Sequence, residues 1–285
     1  MQRYKNPIRW FVLVSLFFLM FPDVDIWVSG LFYSPESGFF WRDAAPMRFV
    51  YEGIHFVTRW LSIFLLGSLL VRLIVAWVPR LRSRYAASPA GAASRRIERR
   101  VGAAVDASLI FRMGAGALRA VKGVWREVWG FIKGIAHSVS TAKLVYLALC
   151  MALGPGLVVN TIFKNEWGRA RPHQIVEFGG ADQFTPVWVI SNQCVKNCSF
   201  VSGHAAMGYY LFAFAFLAFP PLRRSLFALS MVAGFAVGMV RVIQGDHFLS
   251  DVILPGFFVF AVCAALYELF VARGWLADAR SPGRY

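Results

Sequence analysis

Apolar residues run in six long stretches, roughly Trp10–Val28, Val50–Val78, Leu144–Phe163, Ala205–Phe219, Leu226–Ile243 and Val252–Val271. Most approach the roughly 20 residues that an α-helix needs to cross a bilayer core. The pattern predicts an all-α fold, an integral membrane bundle of six transmembrane helices forming one domain over 1–285. The first stretch follows Arg3, Lys5 and Arg9, and no small-residue cleavage site closes its core. It therefore reads as an anchor and not as a removed signal peptide.

A polar interval, 79–141, separates the second and third stretches. Its first part, PRLRSRYAASPAGAASRRIERR, reads as a solvated or flexible connector. In its second part Leu118, Val121, Trp125, Val128, Ile132 and Ile135 step by three and four, with Arg119, Lys122, Arg126 and Lys133 beside them. That pattern predicts an extra basic amphipathic helix, lying either on the anionic leaflet or on the protein's own inner face.

Composition agrees with the membrane reading: 58% of the 285 residues are hydrophobic and 16% charged. The net charge of +15 would point to nucleic acid in a soluble protein. Here its placement argues otherwise. With both termini in the cytoplasm, the inner segments collect most of the Lys and Arg, as the positive-inside rule requires. No nucleic-acid partner is expected, and the phospholipid bilayer is. The few outer cations, among them Arg42, Lys164, Arg169, Arg171 and Arg241, then call for a reason to be there.

Under this topology three segments reach one outer surface. KNEWGRARP ends the third stretch, FVSGHAAM opens the fourth, and RVIQGDHFLSD joins the fifth to the sixth. Lys164, Arg171 and Arg241 suit a phosphate dianion, the arginines offering bidentate forks. Ser202 adds a hydroxyl, and the Gly203 amide can approach a ligand closely. His247 and Asp251, four apart, share a helix face, so the carboxylate can fix the imidazole tautomer and leave the other nitrogen free to attack phosphorus. His204 is then available to protonate the leaving alkoxide. No metal or other cofactor is called for, because the cations supply the charge. Any one of these residues alone reads as a helix-end polar group or a snorkelling cation. Together, on a face where positive charge should be scarce, they read as a site.

Two further groups stand out. Glu52, His55 and Arg59 share one face of the second stretch, as a substrate contact or as a structural charge pair near the outer end. Cys194 and Cys198 lie in an outer loop, where a disulfide is the favoured reading and two free thiols the alternative. Cys150 and Cys263 fall inside apolar stretches and pack.

The order Lys-x6-Arg-Pro, Ser-Gly-His, Arg-x5-His-x3-Asp resembles the type 2 phosphatidic acid phosphatase superfamily, over roughly 144–271. The resemblance implies a metal-independent lipid phosphate phosphatase. Lys164, Arg171 and Arg241 would bind phosphate, and Ser202 and Gly203 would stabilise the transition state. His204 would be the general acid, and His247, oriented by Asp251, the nucleophile of a phosphohistidine intermediate. The choice of which histidine attacks rests mainly on this resemblance. Val201 departs from the proline usual before Ser-Gly-His. WGRARPHQIVEFGG, FTPVW and CVKNCSFVSGHA are also similar to the lipid A phosphatases of Gram-negative bacteria, in particular the 4'-phosphatase branch. That implies an inner-membrane protein whose site faces the periplasm and whose substrate is a lipid A. Hydrolysis of undecaprenyl pyrophosphate or phosphatidylglycerol phosphate, or phosphate transfer between lipids, are the neighbouring readings. A non-catalytic lipid-binding protein is the reading from another class.

Overall fold

The computed structural model describes residues 5–90, 92, 93, 96 and 140–276. They are mostly helical, with one short hairpin. The expected amphipathic helix over 118–135 lies outside the described residues. Packing divides the chain into two units, Met1–Ile63 with Val145–Tyr285, and Phe64–Leu144.

Among the described residues, four helices are long and apolar enough to cross a membrane: Ala45–Val78, Thr141–Glu166, Pro220–Ile243 and Leu249–Ala272. The first stretch differs from the expected straight span. It forms α1 (Lys5–Met20) and α2 (Asp23–Gly30), bent 80° apart. Pro22 sits at the break, where it has no amide proton to continue the α1 ladder. The bend carries Asp25 out of its apolar stretch into a polar cluster, where it is 1% exposed.

A hairpin of β1 (Tyr33–Ser34) and β2 (Gly38–Phe39) follows. The aromatic first loop is more than an interfacial surface. Phe39 is buried with Ala170, Ile175, Phe178 and Phe248, and Tyr33 and Phe184 pack against that cluster. α3 (Ala45–Ala87) then runs on beyond Pro79, where the sequence pattern indicated a connector. The Arg- and Ala-rich residues there are good helix formers, which accounts for the extension.

α4 (Thr141–Met151) continues as a π-helix over Ala152–Phe163 and closes with the turn Lys164–Glu166. Pro155 lies inside the wide segment, and Asn160 Nδ2 donates to its carbonyl at 2.7 Å. Such wide turns re-aim side chains, and here Asn160 reaches Gly203. The fourth apolar stretch forms α5 (Gly203–Tyr209) and α6 (Leu211–Leu217), together shorter than a full span. α7 (Pro220–Ile243) crosses α5 closely, since a Cβ on Gly208 would stand 2.6 Å from the Gly234 Cα. Small residues allow such backbone approach between membrane helices. α8 (Leu249–Ala272) completes the bundle.

Candidate active site

The ends of four helical segments converge here. Lys164 closes the α4 segment, Ser202 opens α5, Arg241 lies in the last turn of α7, and Asp251 in the first turn of α8. Backbone hydrogen bonds tie the intervening loops together. Cys198 N–H donates to the Lys164 carbonyl at 2.9 Å and Ser202 N–H to the Asp251 carbonyl at 2.8 Å, while His173 N–H reaches Gly245 at 3.0 Å. The three segments that the sequence brought to one surface are thus stitched into one site.

The arginines share a carboxylate. Arg171 Nη1 donates to Asp246 Oδ1 at 3.1 Å, and Arg241 Nη2 donates to Asp246 Oδ2. Arg171 Nη2 also reaches the Asn197 carbonyl at 2.8 Å, and Arg241 Nη1 reaches Gln244. Arg42 Nη2 stands 3.7 Å from the same Asp246, and His173 Nδ1 3.5 Å from it. Burial alone would raise the Asp246 pKa, but Arg241 and Arg171 outweigh it and hold the carboxyl below the usual range. The carboxylate therefore stays ionised between the guanidiniums. Lys164 is within electrostatic reach of Arg171, Arg241, Asp246 and Asp251.

His247 is 1% exposed, between α7 and α8. Its Nδ1 lies 3.8 Å from Asp251 Oδ2, beyond hydrogen-bond length, and is buried without a hydrogen-bond partner. Burial pushes the imidazole below the usual histidine range, more strongly than the Asp251 carboxylate pulls it back. The ring is therefore neutral near pH 7, the state in which a nitrogen lone pair can act as a nucleophile.

Ser202 is fully buried and caps α5, its hydroxyl accepting the Ala205 N–H at 3.4 Å. Gly203 is required by packing: a Cβ there would come within 2.4 Å of Asn160 Oδ1. His204 Nε2 is buried without a hydrogen-bond partner. Its ring stacks on Tyr51 at 4.8 Å, and His55 meets it edge-on at 4.8 Å. The α3 face singled out by Glu52, His55 and Arg59 thus divides. His55 joins the site, whereas Glu52 is exposed and pairs with Arg48 at 3.8 Å. Cys194 and Cys198 are joined by a disulfide in the loop that presents Asn197, and Cys150 and Cys263 are free and buried.

A scan against family models matches residues 143–275 to the PAP2 superfamily. That match covers just under half of the chain. Every residue assigned to the site from the sequence falls inside it. The chain is also similar to proteins named lipid A 4'-phosphatase. That of Francisella tularensis subsp. novicida (strain U112) is 45% identical over 131 residues, 46% of this chain and 59% of the relative. That of Rhizobium leguminosarum is 36% identical over 152 residues, 53% of this chain and 65% of the relative. That of Rhizobium etli (strain ATCC 51251 / DSM 11541 / JCM 21823 / NBRC 15573 / CFN 42) is 40% identical over 137 residues, 48% of this chain and 53% of the relative. The matches thus span between half and two thirds of the length of these relatives. No solved structure matches the chain.

Sequence reasoning missed the hub of this site. Arg169 is 0% exposed. Its Nη1 donates to Asp251 Oδ1 at 2.7 Å and to Ser250 Oγ at 2.9 Å, its Nη2 to Asp25 Oδ2 at 2.9 Å, and its Nε to the Thr185 carbonyl at 2.8 Å. The guanidinium also lies over the Phe248 ring, 4.3 Å from its centroid. Burial disfavours the charge on Arg169, but Asp251 and Asp25 outweigh it and hold the group protonated. Ser199 Oγ and Phe248 N–H donate to Asp251 Oδ2, the latter at 2.9 Å. The one available signal was Arg169 itself, a cation on the side that the expected topology makes the outer one, where cations should be scarce.

Proposed function

We propose that the protein is a metal-independent lipid phosphate phosphatase that removes a phosphomonoester from lipid A, at the 4' position, through a phosphohistidine intermediate. The observation that carries this reading is a buried, neutral His247 facing Asp251, in a site where Lys164, Arg171 and Arg241 gather. The similarity to proteins named lipid A 4'-phosphatase supports the substrate.

Lys164, Arg171 and Arg241 hold the phosphate and neutralise the charge that spreads over its equatorial oxygens. The Ser202 hydroxyl and the Gly203 amide add donors where that charge grows. His247 attacks phosphorus, forming an N–P bond as the ester P–O bond breaks. Asp251 stabilises the positive charge that develops on the ring. His204 gives its proton to the departing sugar oxygen, and Tyr51 and His55 hold its ring in place. Water then attacks phosphorus, returns a proton to His204, and orthophosphate leaves as the N–P bond breaks.

The topology that fits this chemistry has six membrane crossings, with the bent α1–α2 pair and the α5–α6 pair each counted as one. Both termini are cytoplasmic and the site faces the periplasm, where the disulfide is stable. A cysteine introduced at Gly180 should then react with an impermeant maleimide from outside, and one at Ser140 should not; the opposite labelling would contradict the orientation. The activity is tested by incubating purified protein with bis-phosphorylated lipid A and following free phosphate and lipid mass. Loss of one phosphate from the distal glucosamine is expected, and an unchanged lipid would sink the reading.

A further inference from the structure

The match to the PAP2 superfamily begins at residue 143, yet a buried partner of the site's relay lies far upstream. Asp25 Oδ1 accepts the Ser250 N–H at 2.8 Å, and Oδ2 accepts both the Ser250 hydroxyl and Arg169 Nη2 at 2.9 Å. Both oxygens only accept, which is the bonding pattern of an ionised carboxylate. Ser250 sits in the first turn of α8, beside Asp251. Asp25 therefore grips the helix that carries the relay carboxylate, and it shares with that carboxylate a single guanidinium.

We propose that Asp25 is a positioning and charge-setting residue for His247, acting through Arg169 and Asp251, so that the α1–α2 elbow completes an active site which residues 143–275 alone leave unfinished. This rests on the reading of His247 as the nucleophile. Two arguments carry it. The first is geometric: Asp251 Oδ1 is held by Arg169 and Oδ2 by Ser199 and Phe248, while Oδ2 also faces the imidazole. Arg169 can aim that carboxylate only if its own fork is fixed, and Asp25 takes the second prong. The second is charge. Asp25, Arg169 and Asp251 together carry one net negative charge, with all three residues at 1% exposure or less. As the N–P bond forms, the neutral ring becomes cationic, and a buried negative cluster stabilises that change. Without Asp25, the remaining Arg169–Asp251 pair is neutral and its carboxylate is drawn toward the guanidinium. The elbow thus bears on the chemical step and not on phosphate capture.

A merely structural salt bridge predicts something else, because its loss lowers the amount of folded enzyme without regard to Asp251. The test is the steady-state kinetics of phosphate release from lipid A by the full chain, for Asp25→Asn, Asp25→Glu, Asp251→Asn and the Asp25→Asn/Asp251→Asn pair. Asp25→Asn should lower kcat by about 10- to 100-fold, the usual range for outer partners of a reacting group, with KM nearly unchanged. Asp25→Glu should recover part of the loss. In the Asp251→Asn background the same change should cost less than about threefold, since residues acting as a unit are not additive. Full multiplicative losses, or a loss confined to KM, would overturn the proposal. If Asp25→Asn does not fold, Ser250→Ala removes one prong of the same clamp and takes its place in the cycle, with a smaller loss in kcat expected.

A readout independent of hydrolysis separates this inference from the proposed function. In protein labelled with 15N-histidine, the ring nitrogens of His247, assigned by loss of signal in His247→Ala, should shift at fixed pH on Asp25→Asn while those of His55 stay in place. An unmoved His247 signal would overturn the clamp even if lipid A is hydrolysed. A moved signal in a protein that hydrolyses no lipid phosphate would sink the hydrolase reading and leave the clamp standing.

Discussion

Tyr51 of α3 stacks on His204 of α5, with ring centroids 4.8 Å apart and planes 23° from parallel. The Arg241 guanidinium lies over the same Tyr51 ring at 4.5 Å. One aromatic side chain therefore touches both the proposed acid and one of the proposed phosphate ligands. Tyr51→Ala should lower kcat/KM for phosphate release by roughly tenfold, the scale of one or two aromatic and cation–π contacts. Tyr51→Phe should retain most of the activity, because the ring and not the hydroxyl makes the contacts.

Asp246 bridges Arg171 and Arg241, and its removal leaves two guanidiniums repelling each other in a largely buried site. Asp246→Asn is expected to raise KM more than it lowers kcat, since in the proposed mechanism the arginines bind phosphate before and during the chemical step. It should also lower the thermal midpoint, because breaking a buried pair from one side costs on the order of 3 kcal/mol. Kinetics and a melt of the same preparation check both.

The pH profile follows from His247. Burial lowers its pKa below the ordinary value of about 6.5. As the proposed nucleophile the ring must be neutral, so the acid limb of the kcat/KM profile due to this group should fall clearly below pH 6.5. Stability moves the same way. The unfolded chain binds this proton more tightly than the folded one, so the contribution of His247 is intact above about pH 6.5. It is lost as pH falls toward the folded pKa. Activity and thermal midpoint measured between pH 4 and 8 report both effects.

The disulfide presents the Asn197 carbonyl to Arg171 Nη2 at 2.8 Å. Replacing both Cys194 and Cys198 by Ser frees this loop, and KM should rise several-fold with a smaller change in kcat. The loop closed is short, so the stability lost should be at most about 2 kcal/mol.

Much of this molecule could be read from its sequence, for identifiable reasons. Long apolar runs mark candidate spans because lipid demands them, and in the expected topology cations on the outer side stand out against the positive-inside bias. Lys164, Arg171, Ser202, His204, Arg241, His247 and Asp251 could be singled out because the expected topology puts them at helix ends on one side. Asp25 was not. It sits in an apolar stretch whose length fits a straight span, and only the elbow at Pro22 reveals that its carboxylate meets Ser250. Arg169 was visible as a misplaced cation, but its partners come from residues 25, 185, 250 and 251, and spacing along the chain does not encode such a meeting. Gly203 was expected to admit a ligand to its amide. In the structure its missing Cβ makes room for Asn160, a contact created by the π-helix around Pro155.

The most direct test of the account is to trap the covalent intermediate. Lipid A carrying 32P at the 4' position is mixed with the purified protein and quenched in alkali, where phosphohistidine survives. The label should appear on His247 in the wild-type protein. In His247→Ala both the label and phosphate release should be lost. Full phosphate release by His247→Ala would contradict the mechanism.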